Sequence, residues 1–381
     1  MADPTRVAVV GLSVGRTCGV RDHAELLAGA LQGDGIACST HWLTRERGTL
    51  RAANAEVRGW TGGLAEEIER GGAEAILLHY SVFSYSHRGV PLFVAPVMAA
   101  LRRTRLPMVA FMHELAFPLG KEGVRGRVWA LTQRAALFEV VRASASIALT
   151  ADFRVSWLQS RRWLAKRPVA LAPVFSNLPV AALDARPTRD FQLLGLFGYR
   201  YDEAAIARVL DALALLRAGS DVRLRLLGGP GVASGSGARW LAATQERGLS
   251  DAVSFSEVLP AQELADELCA CDVLIFADTP GPSSRKGTLA GSLASGRPLV
   301  ATEGHRGWPE LMRQSAALVV TRSAPALAGA VAGLLSDESE REALGARGRA
   351  FAASEMGLSR SADVLAALLA KAIAGEGRGS S

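Results

Sequence analysis

Apolar runs of strand length alternate with helical spacing along almost the whole chain, and after residue 190 the alternation starts afresh. VAVVGL (7–12), AEAILLHY (73–80), MVAFMH (108–113), SIALT (146–150) and PVALAPV (168–174) are nearly unbroken apolar runs. Between them lie helical patterns, as in His23–Gln32, where Ala24, Leu27, Ala28 and Leu31 share one face, and in Pro96–Arg103 and Val128–Arg142. Unbroken apolar runs belong to strands covered on both faces, and strands that alternate with helices form a parallel α/β sheet. SNLPVAALDARPTRD (176–190) is rich in proline and polar residues and reads as a linker. FQLLGLFG (191–198), VRLRLLGG (222–229), VSFSEV (253–258), DVLIFAD (272–278) and AALVV (316–320) then repeat the strand signal, with helices expected at Glu203–Ala218, Gly237–Gly248 and Gln262–Cys271. Helices are also expected at Ser323–Leu335, Glu338–Ala352 and Ser361–Ala374, before a GEGRGSS tail whose composition favours disorder. Two α/β domains follow, over residues 1–178 and 190–355.

Composition narrows the function classes. A chain of 381 residues is long for one core, and 49% hydrophobic residues indicate a globular protein. No apolar run is long enough to span a bilayer, and MADPTRVAVVGL lacks the features of a signal peptide, so a cytoplasmic location is expected. Cys18, Cys38, Cys269 and Cys271 form no C-x-x-C pair and have no clustered histidines beside them; neither a metal nor a disulfide framework is expected. The net charge of +6 comes almost wholly from arginine. A basic surface suits nucleic acid, anionic lipid or a phosphorylated substrate. Basic clusters interleaved with aromatics are lacking apart from Trp157 and Trp163, which argues against nucleic acid. Arg102, Arg103 and Arg105 are the expected footprint of any peripheral membrane contact.

In open parallel sheets ligands bind at the carboxyl ends of the strands, so two sheets in tandem imply two ligands, one per half. GLSVG (11–15) matches the hydrolase elbow G-x-S-x-G, but it follows the first strand, and the longer GLSVGRTCGVRDHAELLAGAL reads better as a glycine-rich loop opening a helix. Gly11, Gly15 and Gly19 do not fit G-x-G-x-x-G, and STHWL (39–43) has no acid closing it, so a nicotinamide dinucleotide is not indicated. His113 and Glu114 in FMHELAFP, and His79 and Tyr80 in LLHYSVFSYSHRG, stand where strands meet loops. Each pair suits either a site role or plain packing. Arg200, past the first strand of the second half, has the forked shape of a phosphate clamp, and the turn at Gly229 admits a ligand close to backbone. GPSSRKGTLAGSLASGRPLVAT (281–302) is the most specific stretch. Ser283 and Ser284 are placed to cap a helix, while Arg285, Lys286 and the N–H groups of Gly287 and Thr288 converge on an anion. The stretch carries no carboxylate.

The order of these motifs resembles the GT-B nucleotide-sugar glycosyltransferases, specifically retaining glycosyltransferase family 4. The likeness covers nearly the whole chain. CGVRDHAELLAGAL resembles the family's glycine loop and first helix, FMHE its strand-end histidine, FGYRYDEA its donor-arginine segment, and GSLASGRPLVAT its EAMA-x-G-x-PVVAT segment. The resemblance implies two Rossmann-like domains facing a cleft, with the last helix (360–375) crossing back to the first. It implies metal-independent, retaining transfer without a further cofactor. The nucleotide diphosphate-sugar would lie on the second domain and a hydroxyl-bearing acceptor (glycan, lipid-linked glycan or natural product) on the first. Arg200 would hold the diphosphate with Arg285 or Lys286, and Gly15 or Gly19 would meet it from the other lip. His113 would hydrogen-bond the sugar, and Asp22, His79, Tyr80 and Glu114 would fall on the acceptor side, with loops near 45–60, 81–91 and 115–127 shaping that pocket. In this chemistry the leaving phosphate oxygen accepts the acceptor's proton, so no protein base is required. The chain departs from the family pattern at two positions. Ser283 and Gly291 stand where the family has paired glutamates, and Ala204–Ala207 occupies the region of its second donor cation. A catalytically silent nucleotide-sugar-binding protein and a polyanion-binding protein are the competing readings.

Overall fold

The computed structural model describes residues 4–15, 18–46, 48–179, 189–229 and 231–375. The chain divides into one unit of Met1–Pro173 with Leu358–Ser381 and another of Val174–Gly357. Most of the linker read at 176–190 and the tail beyond 375 lie outside the described residues.

In the first unit β1 (Thr5–Val14), β2 (Ile36–Arg45), β3 (Ala75–Ser81), β4 (Met108–Glu114), β5 (Ser146–Leu149) and β6 (Val169–Leu171) form a parallel sheet in the order β2-β1-β3-β4-β5-β6. The connecting helices are α1 (Gly19–Gly33), α2 (Leu50–Arg70), α3 (Val94–Arg103), α4 (Gly123–Ala143) and α5 (Asp152–Gln159). All seven residues of β3 are buried, as a central strand covered on both faces requires. Arg45 still belongs to β2, and α2 begins at Leu50, capped by Thr49, whose side chain accepts from Ala52 N. This corrects the reading of 45–60 as a loop. Val57, Thr61, Leu64 and Ile68 form the buried face of α2.

The second unit repeats the plan. Its strands are β7 (Gln192–Phe197), β8 (Val222–Leu227), β9 (Val253–Phe255), β10 (Val273–Phe276), β11 (Leu299–Thr302) and β12 (Leu318–Val320), in the order β12-β11-β10-β7-β8-β9. Around them pack α6 (Glu203–Arg217), α7 (Gly235–Glu246), α8 (Ala261–Ala270), α9 (Gly287–Ala294), α10 (Pro309–Arg313), α11 (Ala324–Ser336) and α12 (Glu338–Glu355). The final helix, α13 (Leu358–Ile373), belongs to the first unit, where it packs on α1 and the central strands. There Ser361 Oγ donates to Pro173 O at 2.9 Å.

Strand order reverses between β1 and β3 in one sheet and between β7 and β10 in the other. Such switch points leave a crevice at the carboxyl edge, so each unit has one built-in place for a ligand. No helix among the described residues is long and apolar enough to cross a membrane. All three arginines of the proposed membrane footprint are exposed; Arg102 pairs with Glu139 at 2.9 Å, Arg103 donates to Thr61 O, and Arg105 adopts a left-handed conformation (φ 55°).

Candidate functional site

At the second unit's switch point a cavity of about 420 Å³ is lined from four strand ends. Gly198–Tyr201 follow β7, Gly228 and Gly229 follow β8, Val258 follows β9, and Phe276 with Asp278 closes β10; Arg285–Thr288 complete it from the start of α9. Six residues expected to bind the donor (Arg200, Gly229, Arg285, Lys286, Gly287, Thr288) therefore share one wall. Arg200 is exposed at the site.

The backbone there is held by buried contacts. The Tyr199 hydroxyl donates to Ser256 O at 3.2 Å and accepts from Gly231 N at 2.8 Å, while Tyr199 O accepts from the Trp240 indole at 2.9 Å. A Cβ on Gly229 would fall 1.9 Å from the Tyr199 ring, so only glycine lets the turn lie against it. Tyr201 is buried, and its phenol is pushed far up by burial and then by the nearby Asp278 charge, so it stays protonated. Asp202 caps α6 through Ala205 N and accepts from Thr279 Oγ1.

The structure also supplies the carboxylate that 281–302 lacks. Asp278 Oδ2 lies 2.8 Å from Lys286 Nζ, a close ion contact that does not align as a hydrogen bond. Lys286 is itself the N-cap residue of α9, and it makes no side-chain cap bond. The expectation that Ser283 or Ser284 caps it is corrected. Both serines are buried and neither lines the cavity, Ser284 O instead accepting from Val174 N. Gly287 and Thr288 in the first turn of α9 line the cavity, and among the described residues no side-chain bond caps that turn, an arrangement that suits an anion.

In the first unit His79 lies near the end of β3, His113 near the end of β4, and His23 meets them from α1. His79 Nδ1 lies 3.1 Å from His113 Nε2, so one nitrogen donates and the other accepts. Burial pushes His23 down to about 4 and takes His79 and His113 well below the usual histidine range; neighbouring imidazoles push the latter two the same way. All three are neutral at ordinary pH. Their ring nitrogens lie within 4.8 Å of one another, close enough to be compared with a metal site. The fit is poor, because His79 and His113 stack at 26° and spend a nitrogen each on the other.

A second cavity, of about 450 Å³, opens at the carboxyl ends of β1 and β2 and along the loop after β3. Cys18, Arg45 and the 83–89 segment line it, so of the three stretches expected to shape an acceptor pocket the first contributes its start and the second most of its length. None of Asp22, His79, Tyr80 and Glu114 lines it. Side chains alternate along a strand buried on both faces: Tyr80 enters the apolar core on one side and His79 meets Phe111 and His113 on the other. This corrects their assignment to a pocket wall. Glu114 pairs with Arg154, which also donates to His113 O, and Asp22 sits exposed in the first turn of α1. Gly15 (φ 81°) donates from its N–H to Arg45 O, and Gly19 opens α1. Asp278, Tyr199 and Tyr201 were not singled out in the sequence, although Asp278 closes the run DVLIFAD at the strand-end position that marked His113.

Comparisons with known proteins agree with this geometry. Residues 191–337 match the family model of group 1 glycosyl transferases. No curated protein matches the sequence. Among solved structures, a glycosyltransferase from Rickettsia africae is similar with a TM-score of 0.71 at 12% identity, covering 99% of this chain and 100% of that one. Sucrose-phosphate synthase from Thermosynechococcus elongatus gives 0.68 at 16% identity, with 97% and 100% covered. The Anabaena protein Alr3699/HepE, in complex with UDP and glucose, gives 0.67 at 13% identity, with 96% and 100% covered. The chain therefore has the GT-B fold of two Rossmann-like domains, and its second domain carries the group 1 glycosyl transferase match.

Proposed function

We propose that the protein transfers a sugar from a nucleotide diphosphate-sugar to a hydroxyl-bearing acceptor, with retention of configuration and without a metal. The observation that carries this reading is the convergence of Arg200, Arg285, Lys286 and the α9 N-terminus on one cavity inside the matched domain. Such a set neutralises a diphosphate and stabilises the charge that develops on it as the sugar departs. The bound UDP of the Anabaena structure supports a uridine nucleotide as the first donor to try. The acceptor's proton passes to the leaving phosphate oxygen, and no protein base is needed.

Ser283 and Gly291, in place of the family's glutamates, favour a second reading as a nucleotide-sugar-binding protein without transfer. Calorimetry with UDP, together with slow hydrolysis of a panel of UDP- and GDP-sugars, separates the two. Binding with hydrolysis supports the transferase, binding without any turnover supports the second reading, and absence of nucleotide binding overturns both.

A further inference from the structure

The first unit's cavity is positively charged by construction. The chain reverses at His87–Val90, where His87 and Val90 exchange backbone hydrogen bonds of 2.8 and 3.0 Å. Both central residues of this turn have positive φ, 50° at Arg88 and 90° at Gly89. Asparagine or glycine normally fills the first of these positions, and an arginine there stores strain of the kind found at ligand sites. The turn is also clamped. A Cβ on Gly89 would stand 2.5 Å from the Trp129 ring, and Gln133 Nε2 donates to Gly89 O at 2.7 Å. Arg88, exposed on this rigid turn, therefore lines the cavity from a fixed backbone.

Behind it lies Arg45, 3% exposed. Its Nη2 donates to Ser84 O and Ser86 O, its guanidinium sits 4.4 Å from the Phe93 ring centroid, and its buried Nε has no hydrogen-bond partner. Glu56 on α2 attracts this charge but does not line the cavity, and no carboxylate lines it among the described residues. Arginine remains charged when buried, and a buried cation with an incomplete set of partners is costly unless an anion compensates it. Arg45, whose charge Glu56 only partly offsets, and Arg88 present two guanidinium groups, whose forked donors suit the three oxygens and near-double negative charge of a phosphate monoester better than a carboxylate or diester.

We propose that this cavity binds a phosphate monoester carried by the acceptor, held by Arg88 and Arg45. The assignment of the phosphate to an acceptor rests on the transferase reading above. The test is calorimetry on the full chain saturated with UDP, which removes the second unit's cavity from competition, at constant ionic strength. Glucose 6-phosphate and inorganic phosphate should bind, while glucose, glucuronate and phosphatidylinositol vesicles should not. Arg88→Asn, which suits the turn's backbone, should weaken phosphate binding at least tenfold with an unchanged melting temperature, and Arg88→Lys should recover part of it. Unchanged phosphate affinity in Arg88→Asn, preference for glucuronate or the vesicles, or no phosphate binding to a chain that binds UDP would each overturn the proposal and leave the donor reading standing. If UDP itself does not bind, the donor reading falls and with it the identification of the phosphate ligand as an acceptor.

Discussion

Phe197 fills the space in which a side chain at position 291 would begin: a Cβ on Gly291 would stand 2.7 Å from Phe197 Cε1. Phe197 ends β7 at the switch point, and Gly291 lies on the buried face of α9. The family's second glutamate is therefore absent for a packing reason as well as a chemical one. Gly291→Glu should not restore the family's donor contact; it should destabilise the chain by about 1–3 kcal/mol, as overpacking does. Phe197→Ala in the same chain should relieve much of that loss, a non-additivity measurable by denaturant titration of both single variants and the double.

Arg200 is exposed, so its removal tests binding with little disturbance of the fold. Arg200→Ala should weaken UDP binding by roughly tenfold to a hundredfold, the weight of a charge-assisted hydrogen bond pair, and leave the melting temperature within a degree or two. Calorimetry with UDP in both proteins checks this. Unchanged affinity would remove Arg200 from the diphosphate site.

Much of the fold was legible because a strand buried on both faces tends to be an unbroken apolar run, as Ala75–Leu78 is at the start of β3, whatever packs against it. The site was legible only where local chemistry showed through. Arg285–Thr288 announced themselves as cations and a helix start, and all four line the cavity. Asp278 escaped notice because its partner Lys286 stands across a loop, and Ser283 and Ser284 misled because a serine before a helix is ordinarily its cap. His79 and Tyr80 sat at the expected strand end, but strand-end position does not say whether a side chain faces a cavity or the interior. The reason for Gly89 is a ring on α4 far away in sequence, which no local pattern reveals.

The histidine cluster gives stability a dependence on pH. In the folded chain burial holds His23 near 4 and takes His79 and His113 well below their ordinary value, whereas each recovers the usual 6.5 on unfolding. The unfolded chain thus binds more protons between these values, and stability rises with pH across that interval. The contribution is complete above pH ~6.5 and is lost as pH falls towards 4 and below, amounting for His23 to no more than about 3 kcal/mol. Urea midpoints measured from pH 7.5 to 4.5 should fall less steeply for His23→Gln than for the native chain. Parallel curves would show that His23 does not report this burial.

Tyr199 ties the donor-side turn to the core, and removing only its hydroxyl isolates that tie. Tyr199→Phe keeps the ring against Gly229 but takes away the acceptor of Gly231 N and the donor to Ser256 O. Gly231 N is buried, so losing its partner should cost about 1–2 kcal/mol of stability. The turn carrying Gly228 and Gly229 should loosen as well, and UDP binding should weaken severalfold, less than in Arg200→Ala because no charge is lost. The two effects are separable: chemical denaturation reads the first, and calorimetry at a temperature well below the melting transition reads the second. A stability loss with unchanged UDP affinity would show that the turn's backbone is not part of the nucleotide site.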